Sequence, residues 1–579
     1  MPQTDSQWLI KGGVVVDGTG SDAFSADVRV RDGFIVEVAP DLSAEPSEQV
    51  YDASGCYVSP GFIESHTHFD GTMWWQPDLD PLPGHGVTTV VMGNCGFALA
   101  PLPKDEAARA EVVKIFSFFE DIPEQPFFDN LPWDWQSWPE YKESVKRGVK
   151  VPTHYAAFVG HIAIRLAAMG MDAWSRAATP SEVEQMCVDL DQALSAGALG
   201  MSTNLMDHDG TDRPVPSLHA DDAEITALLE VLARHRGATL QIVIDTVMRM
   251  TAVEALERVE RLIGNLPIRL QWAGLPTLQW QKDHGIQKPL LKMHERYARE
   301  KREFYTGYAH VPITTVVSFD QSLLFAQSND YVWHEVVTAE GTEAKFELLR
   351  DPEWRARARH SWDELALPTS PFRNARPLLL DQSQNGTGPI DLTLGDYADS
   401  LSLHPSDAFA EWLLANGMDS TATAPDWDRD LEMINRLLTD PYTVGNISDA
   451  GAHGQMFCGA GDNIMLFTEF VRDNGVISIE EAVHIQTAKL AEFFGFADRG
   501  RVAAGMRADI TVFALDEIER RPKRKVYDVP DGKGGATWRW TRDAAPMRLT
   551  LVDGVATFED GKATGARPGT SISPTIASS

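Results

Sequence analysis

The alternation of buried strands with capped helices between residues 61 and 498 constrains the fold of this chain more than any other feature. Gly86–Gly93 reads Gly-Val-Thr-Thr-Val-Val-Met-Gly, an apolar, β-branched run typical of a parallel strand covered on both faces. Thr179–Glu182 and Ser478–Glu481 have the pattern of capping boxes, which begin helices. Because strands and helices alternate in this way, we predict an α/β fold with a TIM-type (β/α)8 barrel.

Short β-type segments occupy both ends of the chain. Residues 1–60 and 499–566 contain apolar or alternating runs separated by Asp-Gly and Ser-Gly dipeptides, which are turn signals. We predict that these two parts are the halves of a small β-sandwich, with Trp538–Trp540 in one of its strands. The barrel then covers 61–498, and residues 567–579, rich in Ser, Thr and Pro, are expected to form a flexible tail.

Two insertions interrupt the alternation, at about 105–145 and 276–375. The first is crowded with Phe, Trp and Pro residues. Excursions from a barrel usually lie over its mouth. Two interpretations of the aromatic residues stay open: they pack the insertion onto the barrel, or they form a pocket wall or lid, which would favour an apolar substrate.

The composition limits the compartment and the partners. The chain has 579 residues, is 43% hydrophobic and carries a formal net charge of −33, which argues against binding to nucleic acid or to an anionic membrane surface. Its four cysteines are too few for a disulfide framework, and we find neither a leader pattern nor a run of 18 apolar residues. We expect a cytoplasmic protein that acts on a small molecule. Homo-oligomerisation stays open.

Four side chains at the predicted ends of barrel strands have the chemistry of a metal site. His66 and His68 share one face of a strand, Cys95 follows the strand 86–93, and Asp449 ends a short apolar run. Two imidazoles and a thiolate suit Zn²⁺. An aspartate beside the ion can take a proton from water and pass it to a leaving group. We predict all four as metal ligands, with Asp449 also as the catalytic acid/base.

Several motifs carry a resemblance to a known family: Val58–Asp70, His85–Gly96, Gly160-His161, Ala196–Gly200, Ser448-Asp449, Asp498–Val502 and Gly505–Ile510. Through them the chain resembles the amidohydrolase superfamily and, within it, the D-aminoacylase (N-acyl-D-amino-acid deacylase) family. The resemblance implies a metal-dependent barrel fused to a sandwich, and hydrolysis of an amide-type bond. It also implies His66, His68 and Cys95 as metal ligands, and Asp449 as the acid/base close to the metal.

The chain departs from that family at two strands. The family's fifth and sixth strands each end in a metal-binding histidine, but the corresponding stretches 240–245 and 268–272 contain none. A lysine after the sixth-strand histidine and a Pro-Arg pair after the Ser-Asp are also absent; in the family these basic groups help hold the substrate carboxylate. We therefore expect one zinc ion rather than two, and a substrate that need not be an N-acyl-D-amino acid.

Five further residues near strand ends are candidates for substrate binding: Asn94, His161, Arg165, His208 and His453. His208 is also a candidate replacement ligand, and Asn94 could orient the Cys95 loop. Three functions stay open. The first is hydrolysis of a C–N bond in an amide such as an N-acyl amino acid. The second is hydrolysis of a cyclic imide, lactone or carbamate. The third is a barrel that has lost catalysis and serves as a binding or scaffold protein.

Overall fold

The structure is a computed structural model that describes residues 7–319, 323–445 and 448–575. Its strands are β1 (Gln7–Val15), β2 (Phe24–Arg31), β3 (Phe34–Ala39), β4 (Gln49–Asp52), β5 (Tyr57–Pro60), β6 (Phe62–Glu64), β7 (Val87–Met92), β8 (His154–Ala157), β9 (Val159–Gly160), β10 (Gly200–Leu205), β11 (Thr239–Ile244), β12 (Arg269–Ala273), β13 (Phe304–Gly307), β14 (Val316–Val317), β15 (Leu379–Gln382), β16 (Leu392–Thr393), β17 (Thr421–Thr423), β18 (Ile510–Phe513), β19 (Lys523–Pro530), β20 (Ala536–Arg542), β21 (Leu549–Val552), β22 (Val555–Glu559) and β23 (Lys562–Ala563).

The α-helices are α1 (Glu106–Glu120), α2 (Gln125–Asn130), α3 (Trp138–Gly148), α4 (His161–Met169), α5 (Pro180–Ser195), α6 (Asp222–Arg234), α7 (Ala252–Ile263), α8 (Gln279–Asp283), α9 (Gln287–Arg299), α10 (Leu323–Gln327), α11 (Tyr331–Thr338), α12 (Thr342–Arg350), α13 (Pro352–His360), α14 (Leu394–Leu401), α15 (Pro405–Asn416), α16 (Leu431–Leu438), α17 (Ile479–Gln486) and α18 (Ala488–Phe494).

Two parallel sheets form the centre of the molecule. One contains β6, β7 and β8, and the other contains β9 to β13 in sequential order. A single residue, Phe158, separates β8 from β9. Isolated parallel bridges join Thr67 to Ala450 and Thr306 to Thr443, so Ala450 lies beside the residues that follow β6, and Thr443 lies beside β13. Parallel pairs need crossover connections, which the helices supply, and the predicted α/β class is confirmed.

Both predicted capping boxes begin helices. Thr179 and Glu182 cap α5, and Ser478 and Glu481 cap α17. The last helix is divided: α17 ends before Thr487, whose φ of −133° and ψ of −92° are not helical, and α18 follows. The Thr487 hydroxyl donates to the Val483 carbonyl at 2.6 Å. A threonine that bonds the carbonyl four residues back bends a helix, and this accounts for the break.

Strands from both chain ends form one nine-stranded sheet, in which β5 and β18 join the N-terminal and C-terminal parts. Its side chains enclose a separate apolar core that includes Ile10, Val28, Ile510 and Leu551. Within the described residues this is a single sheet, where we expected two. The segment Trp538–Trp540 also differs from the expectation, because it lies in β20, which pairs with β19 in a hairpin outside this sheet.

The β19–β20 hairpin packs on the loop that follows Asp449. The Trp540 amide donates to the Gly454 carbonyl at 2.8 Å, and the Gln455 side chain donates to the Trp538 carbonyl at 2.9 Å. Both indole side chains are buried. Both tryptophans are therefore buried against the central domain. The turn signals in the sequence predict the strand that contains them but not which sheet the strand joins.

The first insertion forms α1, α2 and α3, and its aromatic residues stack on one another and on Phe97. Most of these rings are buried, which favours the packing interpretation. The second excursion differs from the expected 276–375, because β13 at 304–307 belongs to the central sheet. A separate four-stranded sheet with its own tryptophan-rich core runs from β14 to β17. The strand β13 has only four residues, which is too short for an alternation of apolar and polar residues to be recognised in the sequence. This is why the excursion was expected to include it.

The residues after 566 are held in place as far as 575, in contrast to the expected flexible tail. Arg567 pairs with Asp78 at 2.6 Å, and the Ile572 amide donates to the Tyr155 carbonyl at 2.8 Å. Backbone hydrogen bonds thus compensate for a composition poor in apolar residues; the expectation for 576–579 lies outside the described residues. Among the described helices, none combines the length and the apolar character needed to cross a lipid bilayer.

A buried ion cluster joins the nine-stranded sheet to the central strands. The Arg499 guanidinium lies 2.6 Å from one oxygen of Asp509, and Nε2 of His154, at the start of β8, lies 3.4 Å from the other. Burial alone would raise the pKa of Asp509, but His154 and Arg499 hold this pKa well below its usual range. The motif around residues 498–510 therefore acts as a structural connection.

Replacing Arg499 by Met should lower the free energy of unfolding by about 3–5 kcal/mol, because it leaves Asp509 charged and buried beside fewer partners. Urea unfolding measures the change. Arg501→Met is the matched control: its exposed side chain pairs with Glu492, and the expected loss is below about 0.5 kcal/mol. Equal losses in the two variants would contradict this role.

Candidate metal centre

The backbone brings two histidines and a cysteine from adjacent strands to one point. His66 and His68 follow β6 and are 3% and 2% exposed. Cys95 follows β7 with a φ of +56°, and Asp449 has the same φ. A non-glycine residue keeps such a φ only where its surroundings fix it, and such positions cluster at functional sites. At Cys95 the fixing contact is a 3.0 Å hydrogen bond from its amide to the Gln241 side chain.

The donor atoms are spaced as ligands of one ion would be. Nε2 of His66 lies 3.1 Å from Sγ of Cys95 and 3.5 Å from Oδ1 of Asp449, and Nε2 of His68 lies 3.2 Å from that oxygen. Atoms at about 2.0–2.3 Å from one tetrahedral zinc are themselves roughly 3.3–3.8 Å apart. In the described part of the chain, Oδ1 of Asp449 is buried without an aligned hydrogen bond. This oxygen and the donors around it fit a divalent cation.

The donors differ in their protonation states. Burial would lower the pKa of His68, but Glu120 and Asp449 raise it well above its usual range, so metal binding at this ring must release a proton. Burial lowers the pKa of His66 to about 4, which keeps the imidazole neutral, the form that binds metals. Burial raises the pKa of the Cys95 thiol to about 12, so metal binding at this residue must release a proton. Burial would also raise the pKa of Asp449, but the neighbouring His453 and His68 rings hold this pKa well below its usual range, and the group is a carboxylate.

Two acidic residues at the end of α1 complete the site and were not predicted. Glu120 and Asp121 are 2% and 3% exposed. Oε1 of Glu120 lies 3.0 Å from Nδ1 of His68, on the side of the ring away from Asp449. A carboxylate in this position orients a metal-binding imidazole and raises its basicity. The only sequence signal for Glu120 is its position at the end of a helix in the insertion.

Asp121 approaches the site through His453. Oδ2 of Asp121 lies 3.8 Å from Nδ1 of His453, whose Nε2 lies 3.5 Å from Oδ2 of Asp449. Burial would lower the pKa of His453, but the contacts with Asp121 and Asp449 raise it to about 10. His453 thus joins the site as a cation, although it was predicted only as a substrate contact.

His161 and Arg165 do not contribute to this site, and their expected substrate contact is corrected here. Both side chains are buried and pair with Glu224, with His161 Nε2 at 2.8 Å from the carboxylate. The second ring nitrogen of His161 lies 2.8 Å from the Thr203 hydroxyl. Both ring nitrogens of His161 and the Nη1 and Nη2 atoms of Arg165 are therefore occupied inside the structure. Glu224 lies in α6, about 60 residues along the chain, so sequence spacing did not reveal this pairing.

His208 and Asn94 also differ from the expectation. His208 contacts Arg249 at 2.5 Å and lines a different cavity, so it does not replace a missing ligand. The buried Asn94 amide donates to the Val91 carbonyl at 3.0 Å and to the Thr67 carbonyl at 3.3 Å. Asn94 therefore orients the Cys95 loop, as one interpretation proposed, and its donors are not free for substrate.

Glutamines stand at the fifth and sixth strands near the site. Gln241 of β11 and Gln271 of β12 are in register. Gln241 accepts the hydrogen bond from the Cys95 amide, and Oε1 of Gln271 is buried without a hydrogen-bond partner among the described residues. At the end of β11, the Asp245 carboxylate accepts from the amides of residues 247–249. Of these side chains, Gln241 supports the site through its hydrogen bond with Cys95, and Asp245 caps the loop that follows β11.

Two cavities meet at the loop 457–459, next to the site. The first, which we call the cationic cavity, has a volume of about 280 Å³ and is lined by Asp449 and by Arg520, Arg521, Lys523 and Arg542. The second, the aromatic cavity, is much smaller, with a volume of about 60 Å³, and includes Phe69, Trp75, Trp538, Trp540 and Asp121. The hairpin β19–β20 contributes to both. The Asp449 carboxylate is thus reachable by a small molecule.

A buried group of His, His, Cys and Asp donors beside a cavity, in a parallel α/β domain, is the kind of site that amidohydrolases use. The chain belongs to the Amidohydrolase family, whose model matches residues 49–558.

The chain is similar over most of its length to several other proteins, two of which have a named activity. An uncharacterised Mycobacterium tuberculosis protein is 28% identical over 96% of this chain and 92% of its own length. An N-acyl-D-aspartate deacylase of Alcaligenes xylosoxydans xylosoxydans is 27% identical over 88% of this chain and 86% of its own length. A D-aminoacylase described as having a binuclear metal centre with one-metal activation and second-metal attenuation is 25% identical, with a TM-score of 0.63 over 97% of this chain and 99% of its own.

Replacing Cys95 by Ser should weaken zinc binding at least tenfold, because it removes a ligand, and ligand-supporting contacts alone are worth about 10–100-fold. Competition with a chromophoric chelator measures the dissociation constant. Cys187→Ser changes a thiol outside the cluster and should leave the constant unchanged. Equal zinc affinity in the Cys95 variant and the native chain would exclude the thiol as a ligand.

Replacing Glu120 by Gln should weaken zinc binding about 10–100-fold while the melting temperature stays close to that of the native protein. The amide keeps the volume of the side chain but loses the charge that supports His68. Glu124→Gln, at an exposed position just after α1, is the control. A change in melting temperature with unaltered zinc affinity would mean that Glu120 is only structural.

Proposed function

We propose that this protein is a metal-dependent hydrolase of an amide-type C–N bond, similar in reaction to the N-acyl-amino-acid deacylases. One observation carries the proposal: the Asp449 carboxylate lies within 3.5 Å of both imidazoles and also lines the cationic cavity. A substrate carbonyl in that cavity would meet Asp449, the one of the four proposed donors that lines it and the proposed proton acceptor.

His66, His68, Cys95 and Asp449 would hold one zinc ion. The fit rests on their spacing, on the neutral His66 imidazole and on the absence of a histidine at the ends of β11 and β12 in the sequence. Zinc at this position supplies Lewis-acid activation of water and of the scissile carbonyl. The glutamines of these strands offer no charge that would favour a second cation.

Asp449 performs the proton transfers. Its carboxylate is ionised and has one oxygen toward the imidazoles and the other toward His453. In this position Asp449 takes the proton of the attacking water and then delivers it to the amide nitrogen as the C–N bond breaks. His453, which contacts Asp121, orients the Asp449 carboxylate, and Glu120 orients His68.

We also propose that the two parallel sheets form one closed (β/α)8 barrel. The strands β6, β7, β8 with β9, and β10 to β13 account for seven positions, and Thr443 and Ala450 would belong to the eighth. The bridges from Thr67 to Ala450 and from Thr306 to Thr443 support closure. His66, His68, Cys95 and Asp449 then stand at the carboxyl ends of the strands, where barrel enzymes carry their active sites.

Replacing Asp449 by Asn should lower kcat by about 10²–10⁴-fold, because the amide cannot accept the proton of the attacking water. Release of the carboxylic acid from a panel of N-acetyl-D- and N-acetyl-L-amino acids measures the activity. The panel also includes a cyclic imide, a lactone and a carbamate, which separates the amide reaction from the other carbonyl reactions open at the sequence level.

Zinc content measured on the same preparations serves as the control, since the Asp449→Asn variant keeps the other three donors in place. Turnover equal to that of the native enzyme would remove Asp449 from the mechanism. A native protein that binds less than one equivalent of zinc after supplementation and hydrolyses no compound of the panel would instead favour a scaffold.

A further inference from the structure

The C-terminal hairpin brings a lysine into the cavity that contains Asp449. Lys523 is the first residue of β19, and its side chain lines the cationic cavity. No motif in the sequence connects residue 523 with the site, because its strand follows Asp449 by about 70 residues. The connection arises because the hairpin packs on the loop 453–460.

The arginines around the cavity are already paired. Arg520 and Arg542 share the Asp462 carboxylate, at 2.6 Å and 3.0 Å. The Arg542 guanidinium also donates to the carbonyls of Cys458 and Ala460. Arg521 pairs with Glu519. Their geometry is fixed by these contacts, and the charge of Asp462 neutralises only one of its two partners.

Lys523 differs from these arginines. Its Nζ is buried and has neither a hydrogen bond nor an ion pair among the described residues, and it lies 5.0 Å from the centre of the Trp540 ring. Burial lowers its pKa to about 8, an effect that Asp381 partly opposes and Arg542 reinforces. The ammonium is therefore charged at neutral pH. A buried charge without a partner is costly, and a bound anion would remove that cost.

We propose that Lys523 binds a carboxylate of the substrate and so makes the enzyme selective for anionic amides. The inference rests on the proposed hydrolase function. The hairpin supplies this cation to the same cavity that Asp449 lines.

The test compares Lys523→Met with the native zinc-loaded enzyme on N-acetylphenylalanine and on N-acetylphenylalaninamide, with acetate release as the readout. We expect KM for the carboxylate substrate to rise about 10–100-fold, the usual cost of losing a hydrogen bond to a charged group. The parameters for the neutral substrate should stay within about twofold. Lys523→Arg should recover most of the loss for the carboxylate substrate.

Arg524→Met is the matched control, since Arg524 is the next residue on the same strand and pairs with the exposed Asp543. It should change neither substrate's KM. Removal of an unpaired buried charge should not lower the melting temperature of Lys523→Met, so the variant is expected to fold. An equal change for both substrates, or no change for either, would overturn the proposal.

The pH dependence gives a second readout. As pH rises through about 8, Lys523 loses its charge, and KM for the carboxylate substrate should increase relative to KM for the amide. The groups that face Lys523 are Asp381, Asp426, Cys458 and Arg542. In Lys523→Arg the ratio of the two KM values should stay constant from pH 7 to about 9, because arginine does not titrate there. A native ratio that is independent of pH would contradict the role.

The two proposals can fail separately. If the native enzyme hydrolyses neither compound, calorimetric titration with N-acetylphenylalanine still tests the lysine. Weaker binding to Lys523→Met than to the native protein supports an anion site in a protein without this activity. Equal binding, or none to either protein, overturns the role of Lys523.

Discussion

The structure depends on a buried group of metal donors whose polar atoms do not all have hydrogen-bond partners within the described part of the protein. His66, His68, Cys95 and Asp449 converge with separations of 3.1–3.5 Å, and Oδ1 of Asp449 lacks an aligned hydrogen bond among the described residues. Burying such groups without a partner costs several kcal/mol in total, at about 1–3 kcal/mol for each unsatisfied polar atom. A cation removes this cost. The metal site also accounts for the left-handed backbone conformation of Cys95 and Asp449, because this conformation directs both side chains toward the other donors.

Three parts of the chain contribute to the site around the donors. The central strands present the ligands, the helix α1 supplies Glu120 and Asp121 behind two histidines, and the C-terminal hairpin closes the cavities in front. The aromatic residues of the first insertion pack α1 firmly enough to hold two carboxylates in a buried position. The insertion therefore supports the site through α1.

The sequence predicted what is local in the chain. Strand periodicity placed His66, His68 and Cys95 at strand ends, and capping patterns placed the starts of α5 and α17. Contacts between distant segments could not be predicted in this way. Glu224 occupies His161 and Arg165 from another helix, and Arg249 contacts His208 across about 40 residues. Glu120 and Lys523 act only because packing brings their segments to the site.

The central claim is that one zinc ion has Cys95, His66 and His68 in its first coordination sphere. X-ray absorption at the zinc edge of the purified, zinc-supplemented protein tests it most directly. The account predicts one sulfur at about 2.3 Å with nitrogen and oxygen neighbours at about 2.0–2.2 Å, and the imidazole scattering pattern of two histidines. A spectrum without sulfur, or with a second metal at about 3.5–4 Å, would contradict a mononuclear site built on these residues.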